Sequence, residues 1–234
     1  MKPEVDIGEH FVKHSDKYHQ SIQNANSELY KNIAVELNQN LDGTVLDIGS
    51  GNVFDYDLAK LNRVIAVDLA FSPDMQNTDK IKYMQGDARD LKDIGNDSCD
   101  RVIMRFLLHH IVEKNKPLTD DSVLTSLKES NRVLKTNGKL IIIEMLVLPF
   151  IEKAENILYG MNYRLLTLIH RPMIRFYSER NLCTMLKAAG FSQIMIKQIY
   201  MGKYVDPFGA LFPGVIKLPV FLYPARCCSI IAIK

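Results

Sequence analysis

Thr44-Val45-Leu46-Asp47-Ile48-Gly49-Ser50-Gly51 is the stretch that decides the fold. Val45, Leu46 and Ile48 around a single acid make a short strand buried on both faces. The glycine-bearing turn behind it lets the backbone pass close to a ligand with its amide hydrogens exposed. Outward from there, residues 63–67 form a second apolar strand that ends at Asp68. Residues 81–85 make a third, followed by Gly86-Asp87-Ala88, residues 100–104 a fourth and residues 139–143 a fifth. Helical spacing appears in residues 11–41 and 56–61, and in 121–134 with a stop at Asn137-Gly138. It returns in 151–169, and in 178–189 with Ser178 as cap and Gly190 as stop. Strands at 192–199 and 228–233 complete the chain. Strands alternating with helices predict an α/β architecture, an open parallel sheet covered on both faces.

Three features fall at the carboxyl ends of the first three strands, the crevice where such sheets bind ligands. The Gly49 to Gly51 turn lets a ligand approach the backbone, Asp68 stands about 20 residues on, where an acid accepts ribose hydroxyls, and Asp87-Ala88 offers a carboxylate and an amide to an adenine edge. Together they describe an adenosine pocket. Each acid also has a plainer use as a turn cap.

These stretches, in order, resemble the class I S-adenosylmethionine-dependent methyltransferases: 45–51, Ala66-Val67-Asp68, Gln85-Gly86-Asp87-Ala88, Phe106-Leu107-Leu108-His109-His110, 130–140 and Ala188-Ala189-Gly190-Phe191. The resemblance runs from Leu41 through the last strand. It implies a Rossmann-like, mostly parallel seven-stranded sheet with its last strand antiparallel. It also implies a helical lid at 1–40 and a methyltransferase domain at 41–234 with cap insertions at about 148–177 and 203–226. S-adenosylmethionine is the implied cofactor. Asp47, Gly49, Ser50 and Gly51 would hold its amino-acid end, Asp68 with Leu69 the ribose, and Asp87 with Ala88 the adenine. Arg105 would lie near the methionine carboxylate or the methyl group. Tyr18, His14 and His19 fall in the segment that in relatives folds over the cofactor. Val53 stands where the family commonly has a third glycine, and Phe54 breaks a GxGxxG dinucleotide spacing.

A base is needed only if the acceptor arrives protonated. The candidates are His110, Glu144, His14 and His19, each with a plain packing or solvated alternative. Met104-Arg105-Phe106 replaces the Asn/Asp-Pro-Pro-Tyr loop of DNA amine methyltransferases. No acidic cluster follows strand four, so no magnesium or other metal is expected. No Pro-Cys pair is present for attack on pyrimidines. The expected acceptor is an oxygen, nitrogen or carbon atom of a small hydrophobic or anionic molecule. Two other classes stay open: a noncatalytic cofactor-binding or partner-activating subunit, and an RNA-binding relative. Aromatic residues interleaved with Lys/Arg are not evident, which disfavours nucleic acid.

The 234 residues, 47% apolar and 24% charged, exclude intrinsic disorder. Four cysteines without a CxxC pair point to a reducing, cytoplasmic setting. No stretch reads as a signal peptide or a spanning helix. Residues 1–155 hold 19 basic against 25 acidic side chains, whereas 156–234 hold 10 against 2. The basic, apolar second part suggests an entrance for its acceptor and peripheral contact with a membrane surface, or pairing with the acids of the first part. Oligomeric state is not encoded in any of these features.

Overall fold

A computed structural model of the chain describes residues 27–51, 53–69, 71, 75–206 and 217–234. Its sheet has the order β3-β2-β1-β4-β5-β10-β7. The strands are β1 (Thr44–Ile48), β2 (Arg63–Asp68), β3 (Ile81–Gln85), β4 (Cys99–Arg105), β5 (Leu134–Val147), β7 (Ser192–Gln198) and β10 (Ala225–Ile233). A two-residue β6 (Tyr177–Ser178) adds to β5, and β8 (Tyr204–Val205) pairs with β9 (Leu218–Pro219). Neighbours from β3 to β5 run parallel, and β10 runs antiparallel to both β5 and β7. This is the Rossmann-like sheet that the resemblance implies.

Alternate residues of the central strands point to opposite faces, as the pleat requires. Leu46, Val102, Leu140 and Ile142 pack under α2 (Lys116–Val133) and α4 (Glu179–Ala188) through Val123, Leu127, Leu182 and Leu186. Val45, Ile103, Ile141 and Ile143 pack under α1 (Ser27–Asn40) through Leu29, Ile33 and Leu37. Residues 27–40 of the expected lid thus cover the core, and 1–26 lie outside the described residues, with His14, Tyr18 and His19 among them. The fourth helix, α3 (Pro149–Leu168), follows β5.

Several boundaries differ from the sequence reading, and three of them have a local cause. The helix expected over 56–61 is only a 3-10 turn, Leu58–Lys60, started by Asp57 accepting from the Ala59 amide. Helix α2 begins earlier, because Asn115 caps it by accepting from Leu118 N at 3.0 Å. It stops at Val133, and Asn137-Gly138 kinks β5 rather than ending a helix: Asn137 is left-handed with φ 63°. A Cβ on Gly138 would lie 2.7 Å from the Lys135 carbonyl oxygen, so only glycine fits there.

Candidate active site

At β1 the chain turns through Gly49 (φ 71°) and Gly51 (φ 57°). A side chain at Gly49 would collide with Leu107, its Cβ 2.8 Å from Leu107 Cδ1, so the turn lies directly against the segment following β4. Gly49 N donates to Val67 O at 2.8 Å, and Gly51 N donates to Asp68 Oδ2 at 2.9 Å. Asp68 therefore closes the turn with its carboxylate at the rim of the crevice. Leu69 beside it is exposed, its carbonyl accepting from Gln85 Nε2.

Beneath this turn Asp47 is buried. Tyr56 donates its hydroxyl to Asp47 Oδ2 at 2.8 Å, while Oδ1 has no partner among the described residues. Burial pushes the carboxyl up to about 6, against the opposing pull of Arg105 and the Tyr56 hydrogen bond. Burial and the neighbouring Asp47 also raise the Tyr56 phenol, so it stays protonated and donates.

Arg105, at the end of β4, pairs with Asp55 and donates to the Val53 carbonyl at 2.9 Å. Val53, at the family's third-glycine position, is thereby held through its backbone. The ion pair ties the loop to β4, with the guanidinium felt electrostatically at Asp47. On the adenine side, Asp87 is gripped by Arg89, whose Nη2 lies 2.6 Å from Oδ2 and whose Nη1 reaches Glu113 at 2.5 Å. Burial opposes ionisation of Asp87, yet the side-chain and backbone hydrogen bonds of Arg89 hold its carboxyl below the usual range. The Arg89 amide and Nε reach Oδ1, and Nε and Nη2 reach Oδ2, four contacts that match the roughly four lone-pair directions of a carboxylate, so a further donor at Asp87 has to share or displace one of them. Ala88 is buried beside it.

Across the crevice, His109 Nδ1 meets Glu144 Oε1 at 2.7 Å. Glu144 is fully buried on β5, its Oε1 also accepting from Met145 N at 2.9 Å and its Oε2 unpartnered among the described residues. With Nδ1 donating to that carboxylate, Nε2 of His109 is left as an acceptor. Phe106 and Phe176 flank the imidazole at centroid distances of 6.4 and 6.3 Å, and the His110 ring lies 4.1 Å away, tilted by 49°. Burial and the nearby His109 hold His110 well below the ordinary histidine range, so it is neutral. Phe106 itself is left-handed, with φ 51°, a costly conformation for a bulky side chain. Its amide donates to Ile143 O at 2.8 Å, which fixes the bend.

The structure thus brings Asp47, Gly49, Ser50, Gly51, Asp68 and Arg105 together, with Leu69, Asp87 and Ala88 along the same strand ends. It joins Glu144 to His109. Tyr56, Arg89 and His109 were not among the expected site residues. The only sequence signals for them are an aromatic near Asp47, a cation two residues past Asp87, and the first histidine of a pair. Among the described residues no cluster of three His, Cys, Asp or Glu side chains is placed to hold a metal.

Residues 46–142 match the family model described as the methyltransferase domain. That match supports a relationship of this segment to the class I S-adenosylmethionine-dependent methyltransferases. No curated protein sequence matches the chain. Among solved structures, it is similar to a Thermotoga maritima S-adenosylmethionine-dependent methyltransferase described as a possible histamine N-methyltransferase. The TM-score is 0.59 at 18% identity, covering 97% of this chain and 100% of the other. A chain of the complex between the Haloferax volcanii Trm112 methyltransferase activator and its methyltransferase gives 0.65 at 16%, covering 97% of each. The Burkholderia thailandensis 1,6-didemethyltoxoflavin-N1-methyltransferase, with bound substrate and S-adenosylhomocysteine, gives 0.59 at 17%, covering 100% of this chain and 93% of that one. S-adenosylmethionine is the cofactor of this class, and the residues present suit it. A buried carboxylate oxygen without a partner beside a glycine-lined backbone matches a cationic, phosphate-free nucleoside.

Proposed function

We propose that the protein transfers a methyl group from S-adenosylmethionine to an oxygen, nitrogen or carbon atom of a small hydrophobic or anionic molecule, with His109 as the base. The observation that carries this reading is the His109–Glu144 contact of 2.7 Å, two residues from the Leu107 side chain that packs on Gly49. Bound in the crevice, the cofactor's sulfonium supplies an electrophilic methyl and a neutral leaving group. Asp47 Oδ1 and the Gly49 to Gly51 backbone would hold its amino-acid end, Asp68 the ribose, and Asp87 with the Ala88 amide the adenine. Arg105 keeps the loop closed against β4.

On the acceptor side, the Nε2 lone pair of His109 would take the proton from the acceptor atom, whose own electron pair accepts the methyl group, the cofactor leaving as its neutral thioether. Glu144 fixes the ring orientation and stabilises the imidazolium. Phe106, Phe176 and neutral His110 wall the imidazole and keep water from competing. Holding the reactants in line supplies the remaining acceleration.

Calorimetry with S-adenosylmethionine and S-adenosylhomocysteine tests the cofactor half, and failure of folded protein to bind either removes the proposal. Transfer of labelled methyl to a panel of phenols, carbon acids and amines tests the acceptor half. Binding without transfer to any acceptor supports a noncatalytic subunit instead.

A further inference from the structure

Helix α3 is inside out. Its buried residues are Glu152 and Tyr159, at 6% and 3% exposure. Glu152 accepts from Ser178 N at 3.1 Å and from the Asn181 side chain, and the Tyr159 hydroxyl donates to the Glu113 carbonyl at 2.8 Å. Glu155, half-buried on the same inner side, accepts from Phe176 N at 3.3 Å. The opposite face carries Phe150, Ile157, Met161, Leu165 and Leu168, exposed by 67%, 75%, 58%, 57% and 72%. At 3.6 residues per turn these five positions fall in one stripe along the helix. A helix of a globular protein normally turns such a stripe to the core, so the environment complementary to this one lies outside the described residues.

Charge identifies that environment. Lys153 and Arg164 are exposed along one edge of the stripe, and Arg171 is exposed just beyond its end. The acids of the helix, Glu152 and Glu155, face inward, and residues 156–178 contain no acid. Packing against a second copy in an antiparallel pair would set each cationic edge against its own counterpart. Pairing with an anionic lipid surface satisfies both the apolar stripe and the cations. The register Ala225↔Val147 also brings the segment before β10 to the end of β5 where α3 starts. That segment contributes Phe221 and Leu222, exposed by 81% and 61%. Beside the stripe, Leu165 and Leu166 share with Met173 the wall of an open cleft of about 310 Å³. No helix among the described residues is long and apolar enough to cross a membrane.

We infer that the outward face of α3 seats the protein on an anionic membrane surface, the helix lying in the interface rather than spanning it. Its basic edge then contacts headgroups, and the site's acceptor side opens close to the bilayer. This inference rests on the shape of α3 and stands whether or not the methyl-transfer reading does.

The test is flotation of the full chain with vesicles of phosphatidylcholine alone or with one-quarter phosphatidylserine, at low and high salt, beside light scattering of the protein alone. Binding to the anionic vesicles, weakened by salt, is expected. Ile157→Glu with Leu168→Glu should lower it by about tenfold or more, because charge is put into the buried stripe. Lys153→Gln with Arg164→Gln should lower it by several-fold while leaving S-adenosylmethionine affinity unchanged. No binding of folded protein to anionic vesicles overturns the inference, as does binding that the glutamate pair leaves unaltered. A concentration-dependent dimer that the glutamate pair dissociates, without vesicle binding, assigns the face to a second copy. Loss of cofactor binding with membrane binding intact would instead count against the methyl-transfer reading alone.

Discussion

Helices α2 and α3 cover the same half of the molecule with opposite sides turned inward. In α2, Val123, Leu127 and Val133 are buried against the sheet. In α3, a glutamate and a tyrosine are buried and the aliphatic side chains face out. The stability of α2 comes from apolar burial, whereas the attachment of α3 comes from hydrogen bonds to β6, α4 and the Glu113 carbonyl. An element fastened by polar contacts leaves its apolar face available for another surface.

Truncation should separate the two helices most sharply. Leu127→Ala is expected to cost about 2–5 kcal/mol, the usual range for a fully buried leucine. Leu168→Ala should change stability by less than about 0.5 kcal/mol, as at an exposed site. In α3 the costly substitution is an acid: Glu152→Ala strands the Ser178 amide and the Asn181 side chain, for about 1–3 kcal/mol. Urea denaturation of the three variants checks the ranking. Equal losses at Leu127 and Leu168 would show that α3 packs on its apolar side in solution.

The same contrast extends to the active site, whose two sides should separate in kinetics. His109→Ala should lower turnover by about 100-fold or more with cofactor affinity retained. His109→Gln keeps the bulk and should not rescue it. Asp68→Ala should weaken S-adenosylmethionine binding by about 1.5–3 kcal/mol, read by calorimetry, because hydrogen bonds to a charged acceptor are stronger than neutral ones. A His109 variant with unchanged turnover would move the mechanism to positioning alone and point to an acceptor that carries no proton to be removed.

The residues gathered at the ends of β1 to β3 were largely legible in the sequence, and the contact between His109 and Glu144 was not. Strands β1 and β3 begin and end where their apolar runs do, and the glycines and Asp68 follow from what a strand-end turn requires. The helix expected over 56–61 failed because the loop before it is committed elsewhere. Arg105 draws Asp55 and the Val53 carbonyl to β4, an interaction between residues about fifty apart that no local pattern contains. The pairing of Glu144 with His109 joins residues 35 apart in the chain, and the nearby positive φ of Phe106 belongs to tertiary packing rather than to residue preference. Periodicity located α3 well but could not say which side faces in. A stripe reports that a helix has two faces, and only the surrounding charges assign them.

The smallest expected effect concerns Asp47, the buried carboxylate on the cofactor side. Burial raises its folded value to about 6, against 3.8 for the free side chain. A raised folded value means that the native state holds the proton more tightly than the unfolded chain does. The contribution to stability is therefore fully present below the unfolded value and is lost as pH rises through about 6. Taking the protein without cofactor from pH 7 to pH 5 should gain about 1 kcal/mol from this group. Asp47→Asn should remove that part of the pH dependence, while weakening the cofactor because the cationic amino group loses its carboxylate. Thermal melts at the two pH values, with and without S-adenosylmethionine, provide the check. If wild type and Asp47→Asn show equal pH slopes, the orphaned Oδ1 is already partnered in solution, and the amino-acid end of the cofactor must be held by other groups.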